Sequence, residues 1–373
     1  MHNRCARAAE NPMADGTVQY LDIGRLELEA GGFLPDVTLA YETWGRLNAD
    51  GSNAVLIQHA LTGSTHVTQG ASDEAGWWEQ LAGPGAPVDT DRFFVVSVNI
   101  VGGCYGSTGP SSAAPDGKPW GSRFPLITLR DTTVAEGRLA DQLGISSWYA
   151  VMGGSMGGAR ALEWAVMYPD RVQRCAVISV GASSTAEQIA FAQAQTLAIR
   201  QDANFRGGDY YAGPFPEEGL ALARRIAHIT YRSAQELDFR FGRTAQDAES
   251  PLQAAALGGR GRYQVESYLD HQGRKLVQRF DANSYIAITE ALMSHDVCRG
   301  RGPLKETLAR ATAEFFVAAV DTDRLYFPAQ SRELADALPG RVEVHVIDAP
   351  IGHDGFLTEI GQLSGQLRNS FLA

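Results

Sequence analysis

One serine lies among four glycines in Gly153-Gly154-Ser155-Met156-Gly157-Gly158, and the sequence around it supplies the setting a nucleophile needs. An apolar strand-like run, Trp148 to Met152, precedes the motif, and a helix-like run, Ala159 to Met167, follows it and stops at Tyr168-Pro169. Gly153, Ser155 and Gly157 satisfy G-x-S-x-G, the spacing of a nucleophile elbow, in which a strained strand-to-helix turn exposes the hydroxyl. Glycine neighbours let the backbone pass close to the next strand and the helix. The helix N-terminus offers unpaired N–H groups to developing negative charge. A phosphate-binding turn is the competing reading, but it wants G-x-G-x-x-G or a lysine-bearing G-x-x-x-x-G-K-[ST], and no lysine is near.

A serine hydroxyl is a poor nucleophile until a base takes its proton and a third group orients that base. Of the eight histidines, His2 falls in the N-terminal stretch, His228, His271 and His295 in a helical region, and His345 inside a strand. His353 follows the last strand in Ile351-Gly352-His353-Asp354-Gly355-Phe356, after the serine, as the order serine, acid, histidine requires. The acid belongs in the turn after the preceding strand, where Asp321-Thr322-Asp323 offers two candidates that spacing does not separate. An Asx turn or helix cap before Pro328 is the structural alternative for either. The oxyanion hole calls for the N–H of Met156 and a second N–H from the loop after an early strand, for which Leu61 in His59-Ala60-Leu61-Thr62-Gly63 is placed. His59 and His66 read as structural. No H-x-x-x-H spacing with carboxylates occurs, so no metal is expected.

The elements that must position these groups follow from apolar patterning. Strands are expected at Tyr20 to Leu28, Val37 to Trp44, Ala54 to Gln58, Phe93 to Ile100, Trp148 to Met152, Ala176 to Val180, Phe315 to Val320 and Val342 to Ile347. Helices are expected at Thr133 to Leu143, Ala159 to Met167, near Ser331 to Leu338 and at Thr358 to Leu372. Strands apolar throughout and separated by helices imply an α/β fold whose parallel sheet is covered on both faces. Between Ser184 and Asp296 the alternation breaks into helices and polar loops, which reads as an insertion. The expected organisation is a tail over 1–16, a core over 17–183 and 297–373, and a helical lid over 184–296.

With 373 residues, 44% hydrophobic and 20% charged, the composition is that of a soluble globular protein. A net charge of −11 carries no basic footprint for nucleic acid. Cys5, Cys104, Cys175 and Cys298 lack CxxC spacing, which fits a reducing cytoplasm. No apolar leader core and no segment approaching the ~18 apolar residues of a membrane span is present, so neither export nor a membrane partner is expected.

The segments His59-Ala60-Leu61-Thr62-Gly63, Gly102-Gly103-Cys104-Tyr105-Gly106-Ser107-Thr108-Gly109-Pro110, the serine motif, Ala161-Leu162-Glu163-Trp164, Ile229-Thr230-Tyr231-Arg232, Arg279-Phe280-Asp281-Ala282-Asn283-Ser284-Tyr285 and Gly352-His353-Asp354-Gly355-Phe356-Leu357 resemble those of the homoserine O-acetyltransferases. The resemblance runs from about Tyr20 to the C-terminus. It implies an α/β-hydrolase fold, a mostly parallel central sheet with an inserted helical lid. It makes Ser155 the acylated nucleophile, Asp323 the triad acid and His353 the base. It places Arg224 at the acceptor's carboxylate, Tyr231 (i+7) and Thr62 beside it, and Asp354 at the acceptor's ammonium. A planar bidentate cation and a carboxylate are natural anchors for a zwitterion. Acetyl-CoA is then a donor substrate rather than a permanently bound cofactor, L-homoserine the acceptor, and O-acetyl-L-homoserine the product, on the route to methionine. A cytoplasmic homodimer paired through lid helices is also implied. Two departures stand out: Ala159-Arg160 replaces the commoner Met-Gln, and Arg225 sits beside Arg224. The alternatives are succinyl-CoA as donor or L-serine as acceptor within the family, a serine esterase of the same fold, or a non-catalytic binding protein.

Overall fold

A computed structural model of the chain describes residues 14–252 and 260–372. Eight strands carry the central sheet: β1 (Gln19–Asp22), β2 (Thr38–Gly45), β3 (Ala54–Gln58), β4 (Phe94–Val98), β5 (Ala150–Gly154), β6 (Arg174–Ile178), β7 (Glu314–Val320) and β8 (Val344–Ile347). Their spatial order is β1-β2-β4-β3-β5-β6-β7-β8. β1/β2 and β2/β4 pair antiparallel, and every later neighbouring pair is parallel. β3, β4 and β5 are buried at every position, as strands covered on both faces must be. Alternate residues then serve different cores: Leu56, Val96, Val151 and Val177 join the larger apolar cluster, while Val55, Ile57, Val95 and Met152 join the one on the opposite face.

The strands interleave with α1 (Leu129–Gln142), α2 (Met156–Met167), α3 (Ala186–Arg200), α4 (Glu217–Tyr231), α5 (Ala234–Arg240), α6 (Gln264–Val277), α7 (Ala282–Met293), α8 (Leu304–Leu308), α9 (Pro328–Ala337), α10 (Gly355–Thr358) and α11 (Ile360–Gln366). α3 to α7 occupy the segment expected to be inserted. Its entry and exit run side by side, with the Ser184 N–H donating to the His295 carbonyl at 2.9 Å and the Val297 N–H to the Ala182 carbonyl at 3.0 Å. The insertion therefore leaves and rejoins the core at one place, and α3, α4, α6 and α7 pack on one another there.

Several boundaries differ from the sequence reading, each for a local reason. α1 starts at Leu129 rather than Thr133, because Thr128 and Asp131 close a reciprocal capping box. α2 starts at Met156, directly after Ser155, because the glycines that make the turn also continue into the helix. The single terminal helix expected from Thr358 is divided at Glu359, whose φ of −96° and ψ of 43° leave the helical region, and a π-helical turn at Leu367–Phe371 follows. Ala14–Asp15, assigned to the tail, instead pairs antiparallel with Trp44 and Gly45 of β2. Residues 1–13 of the expected tail lie outside the described residues. Among the described residues no helix is long and apolar enough to cross a membrane.

The register sets the site. Gln58 pairs with Gly153, Gly154 with Ile178, Ile178 with Ala318, and Val320 with Ile347, so β3, β5, β6, β7 and β8 end in one row. The loops carrying Leu61, Ser155, Asp323 and His353 leave that row on the same edge, where α/β sheets place their ligands.

Candidate active site

Ser155 joins β5 to α2 with φ 56° and ψ −127°, a conformation a side-chain-bearing residue adopts only under restraint. The restraint is visible: its N–H donates to the Ile178 carbonyl at 2.9 Å, and a Cβ at Gly157 would overlap the Gln58 carbonyl oxygen. At Gly154 an added Cβ would overlap the Phe356 ring. Beneath the elbow lies Arg160. Its fully buried guanidinium pairs with Glu136, whose other oxygen accepts from Trp164 Nε1 at 2.6 Å and Gln58 Nε2 at 3.0 Å. A buried cation thus has its counter-ion, and the pair ties α1, α2 and the end of β3 into one support.

Met156 is the first residue of α2, so its N–H has no intrahelical acceptor. Leu61, in the loop after β3, lines the cavity that Ser155 lines. His59 pins that loop: its Nδ1 contacts the Ala60 carbonyl at 2.8 Å, while Nε2 accepts from the Ile100 N–H at 3.1 Å. Nε2 as acceptor makes Nδ1 the donor, a neutral imidazole. Burial, then Arg160, pushes His59 down to about 3, in keeping with a structural role. His66 bridges Glu42 and the Glu74 carbonyl, both at 2.9 Å, and also serves the scaffold.

His353 Nδ1 lies 2.6 Å from Asp323 Oδ2. The other oxygen of Asp323 accepts from the Leu325 and Tyr326 N–H groups at 2.8 and 2.9 Å, so the carboxylate is buried but fully engaged. Asp321 does something else, accepting from the Ala349 N–H at 3.0 Å and so clipping the ends of β7 and β8 together. Geometry therefore separates the two aspartates that spacing left open. Burial pulls His353 down, but the charge and hydrogen bond of Asp323, with a further contribution from Asp354, outweigh it and raise His353 above the ordinary histidine value. Its Nε2 is buried without a hydrogen-bond partner, and His353 and Ser155 line one cavity.

That cavity, of about 230 Å³, also takes in Leu61, Thr62, Arg224, Tyr231, Arg279 and Asp354. Arg224 Nη1 is buried without a partner, and its Cζ lies 5.4 Å from the Tyr231 ring centroid. Arg225 turns away to pair with Asp270 at 3.0 Å, so of the two adjacent arginines it is Arg224 that lines the cavity with Ser155. Asp354 shares its carboxylate with Arg232 at 3.3 Å. Thr62 contributes its carbonyl, which accepts from Arg279 Nη1 at 2.8 Å. Arg279 also reaches the Tyr105 hydroxyl at 2.6 Å and is a second cation at the cavity that the sequence reading quoted in a motif without giving it a role. Only its position after α6, not its spacing from other polar residues, brings it there. A second, smaller chamber of about 40 Å³ meets the first at Leu61, Ser155 and Tyr231.

His228, under Arg224, contacts the Tyr268 hydroxyl at 3.1 Å through Nδ1, and burial followed by Arg224, Arg232 and Lys275 pushes it down to about 2. It is neutral and leaves the positive charge to Arg224. His345 stacks on Phe316 with ring centroids 4.4 Å apart, away from the site. Among the described residues no cluster of three His, Cys, Asp or Glu side chains is arranged to hold a metal. The arrangement places a serine at a strained strand-to-helix turn in one cavity with a carboxylate-oriented imidazole, a setting suited to acyl transfer.

Comparison with known proteins agrees. A family model for the alpha/beta hydrolase fold matches residues 53–360. The chain is 58% identical over 344 residues, 91% of its length and 89% of the relative's, to a homoserine O-acetyltransferase of Thermobifida fusca. Its structure superposes on a homoserine O-acetyltransferase from Bacillus anthracis with a TM-score of 0.88 at 26% identity, covering 96% of this chain and 98% of the other. It also superposes on esterase E22 with a TM-score of 0.86 at 27% identity, covering 96% of this chain and all of the other. On this sequence identity, and with the elbow, the imidazole–carboxylate pair and the helical insertion in place, the chain belongs to the homoserine O-acetyltransferase family of the α/β-hydrolase fold.

Proposed function

We propose that the protein moves the acetyl group of acetyl-CoA to the side-chain hydroxyl of L-homoserine by a ping-pong route through Ser155, yielding O-acetyl-L-homoserine for methionine biosynthesis. His353 Nε2, held by Asp323, takes the Ser155 proton as Oγ bonds to the thioester carbon. The Leu61 and Met156 N–H groups receive the oxyanion. The carbon–sulfur bond breaks, and the departing thiolate of coenzyme A recovers the proton from His353. Homoserine then enters, its hydroxyl loses a proton to the same nitrogen and attacks the acetyl carbon, and Ser155 is released with its proton restored.

The observation that carries the reading is the pair of opposite charges, Arg224 and Asp354, beside Ser155 and His353 in one lid-covered cavity. An acyl-enzyme in water hydrolyses unless an acceptor is held in place, and a carboxylate on Arg224 with an ammonium near Asp354 would hold a zwitterion. An esterase is the second reading, favoured by the likeness to esterase E22. Partition of the acetyl group decides between them: transfer to homoserine far above hydrolysis supports the acyltransferase, and hydrolysis indifferent to homoserine supports the esterase.

A cytoplasmic homodimer belongs to the same reading. The thiols of Cys104, Cys175 and Cys298 are unpaired, as suits a reducing compartment. Ile189 and Leu197 on α3 and Leu222 and Ile229 on α4 are each at least 40% exposed and spaced to share a helix face, which supports pairing through the lid. Light scattering showing a dimer would agree, and a monomer at all concentrations would refute it.

A further inference from the structure

We propose that the small chamber is the acyl subsite of Ser155 and that Phe191, Met293 and Leu325 set the length of the acyl chain it accepts. The inference rests on the acyl-enzyme reading above. Two spaces meet at the nucleophile, and their linings differ in kind. The larger holds Arg224, Arg279 and Asp354. The smaller, walled by α3, α7 and the loop after β7, has no charged side chain in its lining. A charged acceptor belongs in the first, so the acyl chain, whose carbonyl oxygen is fixed by the Leu61 and Met156 N–H groups, extends into the second.

Size and polarity then set the donor. At 10 to 15 Å³ per water-sized group, 40 Å³ holds roughly three such groups beyond the carbonyl, ample for the methyl of an acetyl group and too small for a succinyl chain. A succinyl group adds one methylene and a carboxylate to the acetyl frame. The Gln188 amide is already committed to the Leu325 carbonyl at 2.7 Å and Gln330 Oε1 at 3.2 Å. The Thr230 hydroxyl donates to the Ala227 carbonyl at 2.7 Å, and Gln195, whose Oε1 accepts from the Tyr285 hydroxyl at 2.6 Å, offers a carboxylate only a neutral amide N–H. Thr289 Oγ1, buried without a partner, is neutral and does not compensate a buried carboxylate. Phe191 and Met293 are the large flexible-edged side chains of the walls, and shortening either lengthens the chamber.

The test uses p-nitrophenyl acetate, butyrate and hexanoate on the full-length protein without any amino-acid acceptor. Ser155 Oγ bonds to the acyl carbon and p-nitrophenolate leaves, so the burst reports acylation alone. The wild type should favour acetate over hexanoate by about 100-fold or more, and Met293→Ala and Phe191→Ala should each raise the hexanoate-to-acetate ratio about tenfold or more. Ala192→Leu, which fills the chamber, should slow acylation by acetate itself. Leu325→Ala, on a loop, repeats the measurement if a helix variant fails to fold, with acetate acylation as the sign of folding. A ratio unchanged within about twofold in the shortened variants, with acetate acylation retained, would place the acyl chain elsewhere and overturn the proposal. A wild type whose ester cleavage equals that of Ser155→Ala would overturn the acyl-enzyme reading instead.

Discussion

Arg224 and Arg225 are adjacent in sequence yet face different partners: Arg224 Nη1 is buried and unpaired at the Ser155 cavity, whereas Arg225 is held by Asp270 at 3.0 Å on the outside of α4. Successive helical residues are about 100° apart, so one faces the core and the other the neighbouring α6. Replacing Arg224 with alanine should raise the KM for homoserine about 10- to 100-fold, the value of a hydrogen bond to a charged group, while slowing acylation by acetyl-CoA much less. Arg225→Ala should leave the homoserine KM within about twofold. Steady-state kinetics of both variants check this, and equal effects at the two positions would contradict it.

The raised proton affinity of His353 predicts the pH dependence of acylation. The base must be unprotonated, so kcat/KM for acetyl-CoA should rise with pH through an apparent pKa above 6.5. In Asp323→Asn the attraction for the imidazolium is lost. The acidic limb should move to lower pH while the rate falls by about four orders of magnitude, because the imidazole loses its orienting partner. A rate loss without movement of the limb would mean that Asp323 does not set the protonation of His353.

Two other histidines should shape acid stability. His59, held down to about 3, and His228, held down to about 2, are buried neutral and take up protons when the chain unfolds. Their folded-state values lie below the unfolded value near 6.5, so the stability they confer is present above pH 6.5 and is lost as the pH falls from there towards 3. His353, raised, contributes in the opposite sense and offsets part of this. Urea midpoints measured between pH 7 and pH 4 should therefore fall steadily, and a flat profile would contradict the neutral assignments.

Gly157→Ala should cost several kcal/mol and yield little soluble protein, because its Cβ would occupy the space of the Gln58 carbonyl oxygen in a buried backbone crossing. Gly365→Ala, where an added Cβ meets nothing, should be tolerated. Melting temperatures of the two variants make the comparison.

The parallel strands were legible because doubly covered strands read as continuous apolar runs, and the elbow was legible because only small residues satisfy its turn. His353 could be singled out by its order in the chain. The choice of Asp323 over Asp321 was not legible from spacing, since it depends on which carboxylate the turn after β7 points at the imidazole and which it points back at Ala349. The role of Ala14–Asp15 was hidden because two residues carry no periodicity, and pairing with β2 decides their conformation. Arg279 went unassigned for the same reason: its contacts with Thr62 and Tyr105 join positions 217 and 174 residues apart.

The central claim is that Ser155 carries the acetyl group between donor and acceptor, and peptide mass spectrometry after brief mixing with acetyl-CoA tests it most directly. The wild type should show acetyl on the peptide containing Ser155, discharged by added homoserine much faster than by water, and Ser155→Ala should show none. Equal acetylation of Ser155→Ala, or no acetyl-enzyme in a wild type that still makes O-acetyl-L-homoserine, would contradict the account.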